Sequence, residues 1–145
     1  MRYPGDGWDR LHTGGCPFYD EDLDWARGLI DEMGSALRNV AADHGTGSLD
    51  LREALRGHTV CSDKAKLVTQ GTPKSRQFSE WARFVASGRF EGDMNESIHP
   101  NAFGQRALGK CLAGLYGTDP QGGARLSGAC TATAGKGYDG VTVAR

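Results

Sequence analysis

Apolar residues recur at intervals of three and four along the first third of the chain. Leu23, Ala26, Ile30, Met33, Leu37 and Val40 fall on one face of a helix. The period predicts a helix from about residue 20 to Ala42 with that face buried. Asp20 or Asp22 can cap its first turn, Glu21 and Asp24 complement its dipole, and Gly45-Thr46-Gly47 stops it. Ser48-Leu49-Asp50-Leu51 then alternates, which predicts a short strand with Leu49 and Leu51 on one side. Arg52 to Arg56 reads as a helical turn closed by Gly57. Phe78 to Val85 predicts a short helix with Trp81 and Phe84 or Val85 facing inward. A second long helix is expected from about Pro100 to Tyr116, because Ala107, Leu108, Cys111, Leu112 and Leu115 form an apolar stripe that Gly117 ends.

The segments between these elements are polar or small. Residues 1–19 carry prolines and glycines without periodicity and are expected to be irregular. Residues 62–77 and 88–97 read as surface loops. Residues 117–145, rich in Gly, Ala, Thr and Ser, read as a flexible tail pinned by Cys130. Helix, glycine turn, short strand and short helix in succession is an α/β rhythm. Only one strand is legible, so the fold class is α/β but mostly helical. The organisation is three segments: 1–19, 20–116 and 117–145.

Length and charge narrow the function mainly by exclusion. At 145 residues the chain is one domain at most. Seventeen basic and eighteen acidic residues give a net charge of −1, with no basic stripe interleaved with aromatics, so nucleic acid is not an expected partner. No apolar run approaches the roughly 20 residues of a membrane span, and none has the form of a signal-peptide core. Cys16, Cys61, Cys111 and Cys130 are widely spaced, with no C-x-x-C pair, which argues against a zinc ribbon or thioredoxin-type site. Their even number suits disulfides in an oxidising compartment. In the absence of a signal peptide, the expectation is that the natural N-terminus has been lost.

The candidate chemistry sits in Glu96-Ser97-Ile98-His99-Pro100-Asn101-Ala102-Phe103-Gly104, which runs straight into the second long helix. Histidine is the side chain best suited to exchange a proton near neutral pH. Pro100 suits the first helical position and would mark where the loop stops. Glu96, three positions before His99, can orient the imidazole. The other histidines have simpler roles. His58 reads as a structural loop residue, and His44 sits favourably at a helix C-terminus. His12 and Cys16 are separated by Gly14-Gly15, which argues against a metal pair. Gly135-Lys136-Gly137 lacks the Ser or Thr and the spacing of a phosphate loop. No metal or organic cofactor is implied.

The segment resembles the last block of the SGNH (GDSL-type) ester hydrolases, Asp-x-x-His-Pro-Asn-x-x-Gly, with Glu96 where that family usually has Asp. Leu49-Asp50-Leu51 followed by Gly57-His58-Thr59-Val60-Cys61-Ser62 is similar to the late strand and Gly-His-x-x-Cys segment of secreted actinobacterial members. The resemblance covers about residues 20–116. It implies the C-terminal part of a three-layer α/β/α, flavodoxin-like domain, and a secreted esterase or lipase-like enzyme acting on small-molecule or lipid esters. It assigns His99 as general base and Glu96 as its orienting acceptor. It further implies a Cys61–Cys111 disulfide, leaving the partners of Cys16 and Cys130 open. The family's Gly-Asp-Ser-Leu nucleophile block is absent: Gly5-Asp6-Gly7 has glycine where the serine belongs. The oxyanion-hole glycine and Gly-x-Asn-Asp blocks are missing too. The expectation is therefore a hydrolase fragment that is inactive alone. The alternative is a non-catalytic remnant or interaction module, self-associating through exposed core surface.

Overall fold

The computed structural model describes residues 18–59, 62, 64–65, 77–83, 98–117 and 126–145. Helix α1 spans Asp20–Asp43. Its N-cap is Tyr19, whose backbone N–H donates to the Asp22 carboxylate at 3.1 Å, so Asp22 caps from the third helical position. At the other end Gly45 adopts φ +63°, its N–H donates to the Ala42 carbonyl, and the Thr46 N–H donates to that of Ala41. This pair of bonds is a Schellman closure, and it explains why the helix stops where the glycine predicts.

The face that α1 buries is not the one its period suggests. Leu23 is buried, but Met33, Leu37 and Val40 are 56%, 62% and 54% exposed. The helix docks with a polar side instead. Arg27 pairs with Glu53 at 2.9 Å, Asp31 with Arg52 at 2.8 Å, and Arg38 with Asp50 at 2.7 Å. Between them Gly34 lets the Arg52 stem lie against the helix, since a Cβ there would stand only 3.0 Å from it. Ion pairs therefore take the contact that the apolar residues were expected to make.

The partner element is strand β1, Leu49–Glu53. It runs parallel to β2 (Gly128–Thr131), which in turn is antiparallel to β3 (Thr142–Ala144), in the order β1-β2-β3. Helix α2, Ala102–Gly117, connects the parallel pair. Asp50 and Arg52 face α1, whereas Leu49 faces the core that α2 covers, so the helices lie on opposite faces of the sheet. Register passes from Asp50↔Ala129 to Glu53↔Thr131, leaving one extra residue on β1. That bulge turns Glu53 to the same side as Arg52, where it meets Arg27. Arg52 and Glu53 thus continue the strand, and the expected helical turn is only a reverse turn over 54–57, with the Ala54 N–H bonded to the Leu51 carbonyl.

Two further expectations are corrected. The C-terminal segment is no flexible tail over residues 126–145, because it supplies the central strand, a 3₁₀ turn at Gly137–Gly140 and β3. Cys130 bonds to Cys111, not to a distant cysteine, and this excludes the implied Cys61–Cys111 pair. Cys16 and Cys61 lie outside the described residues. The core is built from small residues at close range: Ala54, Ala107, Ala132, Cys111 and Cys130 around Trp81 and Tyr138. A Cβ at Gly128 would meet the Ala144 carbonyl at 2.8 Å and Leu115 at 3.2 Å, so small size is what lets strand and helix approach.

The disulfide and the ion pairs carry separate, testable consequences. The bond closes a 19-residue separation and contributes about 3 kcal/mol by chain entropy. Replacing both cysteines by alanine is expected to lower denaturant stability by about that amount.

Asp50 is held by two arginines, Arg38 and Arg52. Hydrogen bonding from Arg52 holds its pKa near about 2, against an ordinary 3.8. The native state therefore binds fewer protons there than the unfolded chain, and the stabilisation is complete above pH 3.8 and lost as pH falls towards 2. Its size is about 1 kcal/mol once solvent screening is allowed for. Denaturation curves taken across that interval should show the loss, and Asp50→Asn should flatten it.

Candidate active site

In a parallel α/β sheet the helix that follows a strand begins at the edge where that strand ends, and ligands gather at that edge. The chain leaves β1 through Gly57 and His58. His58 is fully buried and stacked on Trp81, with ring centroids 3.7 Å apart and planes 4° from parallel. Its Nδ1 lies 2.8 Å from the Ser79 carbonyl, and its own carbonyl accepts the Trp81 N–H at 2.8 Å. Tyr138 also stacks on Trp81 with centroids 5.5 Å apart, and the Arg106 guanidinium lies 5.2 Å from the Tyr138 ring centre. Sequence reasoning placed His58 as structural and Trp81 as inward, and both are so. The expected helix over 78–85 does not form across 78–83. The Trp81 backbone is bonded to His58 and Asn101, contacts a helix would not leave free. Phe84 and Val85 lie outside the described residues.

The loop that carries His99 is fastened to this layer. Asn101 donates its backbone N–H to the Trp81 carbonyl at 2.9 Å and its side-chain amide to the Glu80 carbonyl at 2.7 Å. Its Oδ1 accepts the N–H groups of Phe103 and Gly104 at 2.9 and 3.1 Å, which makes Asn101 the N-cap of α2. Pro100 accordingly precedes the cap and pairs with Ala82 in an isolated bridge, rather than occupying the first helical turn. Gly104 packs on the Trp81 backbone so closely that a Cβ would lie 2.1 Å from its carbonyl oxygen. Proline, asparagine and glycine of the motif are thus accounted for by the scaffold.

His99 is placed differently. Its carbonyl accepts the Arg83 N–H at 3.0 Å, and the Ile98 N–H donates to the Arg83 carbonyl at 2.8 Å, so the backbone is clamped on both sides of the residue. Its imidazole is exposed. Ile98 has φ +71°, a left-handed conformation that a β-branched residue adopts only under constraint. Backbone strain of this kind costs about 1–3 kcal/mol and gathers at functional sites. Glu96, the expected orienting acceptor, lies outside the described residues. Among the described residues no cluster of His, Cys, Asp or Glu is arranged to hold a metal, and no helix is long and apolar enough to cross a membrane. What the arrangement offers chemically is an exposed imidazole on a backbone clamped to Arg83, beside the exit of β1 and the start of α2.

Sequence reasoning missed the Asn101 cap and the Ile98 strain. An Asn immediately before an apolar helix is a start signal and was available; the strain has no local signature. No family model, curated protein or solved structure matches this chain.

Relief of the strain is measurable. Ile98 is exposed, so Ile98→Gly loses little burial and is expected to raise stability by about 1 kcal/mol in denaturant titration. Ile98→Val, which keeps the branch at Cβ, should give no such gain.

Proposed function

We propose that this chain is the base-carrying, C-terminal part of an SGNH-type hydrolase, a three-layer α/β/α domain that cleaves carboxylic esters through a serine nucleophile. The observation that carries the reading is the clamped and strained backbone around an exposed His99, one position beyond Ile98 and two before the Asn101 cap. Pro100, Asn101 and Gly104 of the motif serve the scaffold, which leaves the exposed imidazole of His99 for chemistry. In this role His99 takes the proton of the attacking serine hydroxyl and returns it to the leaving alkoxide. Glu96 holds the other ring nitrogen and fixes the tautomer. The serine and the oxyanion donors come from residues beyond these 145, and the enzyme is secreted. Small-molecule or lipid esters are the substrate class.

A second reading is a module that binds a partner without catalysis. It is favoured by the exposed stripe of Met33, Leu37 and Val40 on α1.

The hydrolase reading makes the isolated chain inert towards p-nitrophenyl acetate. Translation of the DNA upstream of Met1 should reveal an in-frame Gly-Asp-Ser-Leu block. In the extended protein His99→Ala should lower ester turnover by about 10²–10⁴-fold with no change in fold. An upstream frame without that block, or turnover by the isolated chain that His99→Ala abolishes, would overturn the reading.

A further inference from the structure

We propose that the outward face of α1 docks a basic amphipathic helix of another protein, on a seam formed by Leu29, Met33, Ala36 and Val40. The surface stands independently of the hydrolase reading. α1 meets the sheet through Arg27, Asp31, Gly34 and Arg38, with Leu23 buried near its start. At ~100° per residue these positions share one side of the helix, and the seam lies on the other. Leu29, Met33 and Val40 are 53%, 56% and 54% exposed, and Ala36 is exposed between them. Ile30 and Leu37 turn instead towards the open edge of β1, in a groove that Met33 borders as well. Strands added at that edge extend the sheet beneath α1 and leave the seam uncovered.

The spacing along the seam points to a helix as its cover. The steps from Leu29 to Met33, Ala36 and Val40 are four, three and four residues. That alternation is the one by which two helices pack at a shallow angle, knobs of each filling holes on the other. Trp25, 72% exposed, extends the row by one more turn. The stripe then runs about 22 Å along the helix. An unbroken apolar row of this length on the solvent side marks an interaction surface, where scattered exposed residues would not.

Charge selects which helix. The outward half of α1 carries Asp22, Glu32 and Asp43, with Glu21 at its border, all of them exposed. Glu32 and Asp43 form no ion pair among the described residues. Both basic residues of the helix, Arg27 and Arg38, are turned to the sheet and paired with Glu53 and Asp50. A second copy of this chain would set one carboxylate rim against another, and an anionic membrane surface would be repelled in the same way. A partner helix whose apolar stripe is flanked by lysine or arginine places its cations on that rim, as the flanking positions of a coiled coil do.

The 145-residue chain can be titrated at physiological ionic strength with two synthetic helical peptides of roughly three heptads. Both carry leucine along the seam; one is flanked by lysine and the other by glutamate. The lysine peptide should bind at micromolar concentration, at least about 10-fold more tightly than the glutamate peptide. Leu29→Gln, on an exposed position, should keep the helical circular dichroism and weaken the lysine peptide at least about 10-fold. Glu32→Lys should move the preference towards the glutamate peptide. Leu51→Glu, at the open edge of β1, should leave binding unchanged. The proposal is overturned if neither peptide binds, if both bind equally, or if Leu29→Gln leaves binding intact. Loss of binding in Leu51→Glu also overturns it, because the peptide would then sit at the strand edge. So does a wild-type dimer that Leu29→Gln dissociates, because a second copy would then hold the seam.

Discussion

Trp81 is the residue through which the separate parts of this fold are held together. Its indole stacks with both His58, at the exit from β1, and Tyr138, in the C-terminal turn. Its N–H binds the His58 carbonyl, and its carbonyl binds Asn101 at the head of α2. Strand exit, helix start and C-terminal segment therefore all meet one fully buried side chain and its peptide. Gly104 extends the dependence, since any Cβ there would drive α2 off the Trp81 carbonyl. Most of the other buried core residues are alanines and cysteines, with Tyr138 and Val141, so loss of the indole would leave a large cavity at the centre.

The two helices are attached by different physics. α2 is bound through small residues at close range and a disulfide into the central strand, contacts insensitive to pH and salt. α1 is bound through arginine–carboxylate pairs at 2.7 to 2.9 Å that remain partly exposed. Such pairs give orientation more than stability. α1 is accordingly the element expected to loosen first on acidification, and its apolar stripe is then free to seek other cover.

Much of the architecture was legible where period and punctuation agree. The first helix, its glycine stop, the strand around Leu49-Asp50-Leu51 and the second long helix all follow from spacing and termination signals. The orientation of α1 was not legible, because amphipathicity names the apolar face and not what is available to cover it. Arg27, Asp31 and Arg38 mark the docking face only once Asp50, Arg52 and Glu53 are known to lie opposite. The central strand was missed for a related reason. Gly128-Ala129-Cys130-Thr131 has none of the large β-branched alternation that announces a strand, and its place is secured by a disulfide and two neighbouring strands. The Trp81 layer was half legible: the inward tryptophan could be read, but the tertiary bonds that forbid a helix there could not.

The candidate site shows how a motif separates into scaffold and chemistry. Pro100 bridges to Ala82, Asn101 caps the helix and ties it to Glu80 and Trp81, and Gly104 permits close packing. A purely structural helix start needs those three and does not need a histidine beside them. Nor does it need Ile98 at φ +71°, where glycine would be unstrained and the exposed side chain recovers little by burial. The strain is held by the two bonds to Arg83, and those same bonds fix the direction in which the His99 backbone enters the cap. A proton acceptor works only if its ring returns to the same place at each turnover, and a backbone clamped on both sides supplies that. On the proposed reading, the energy stored at Ile98 is the cost of aiming His99.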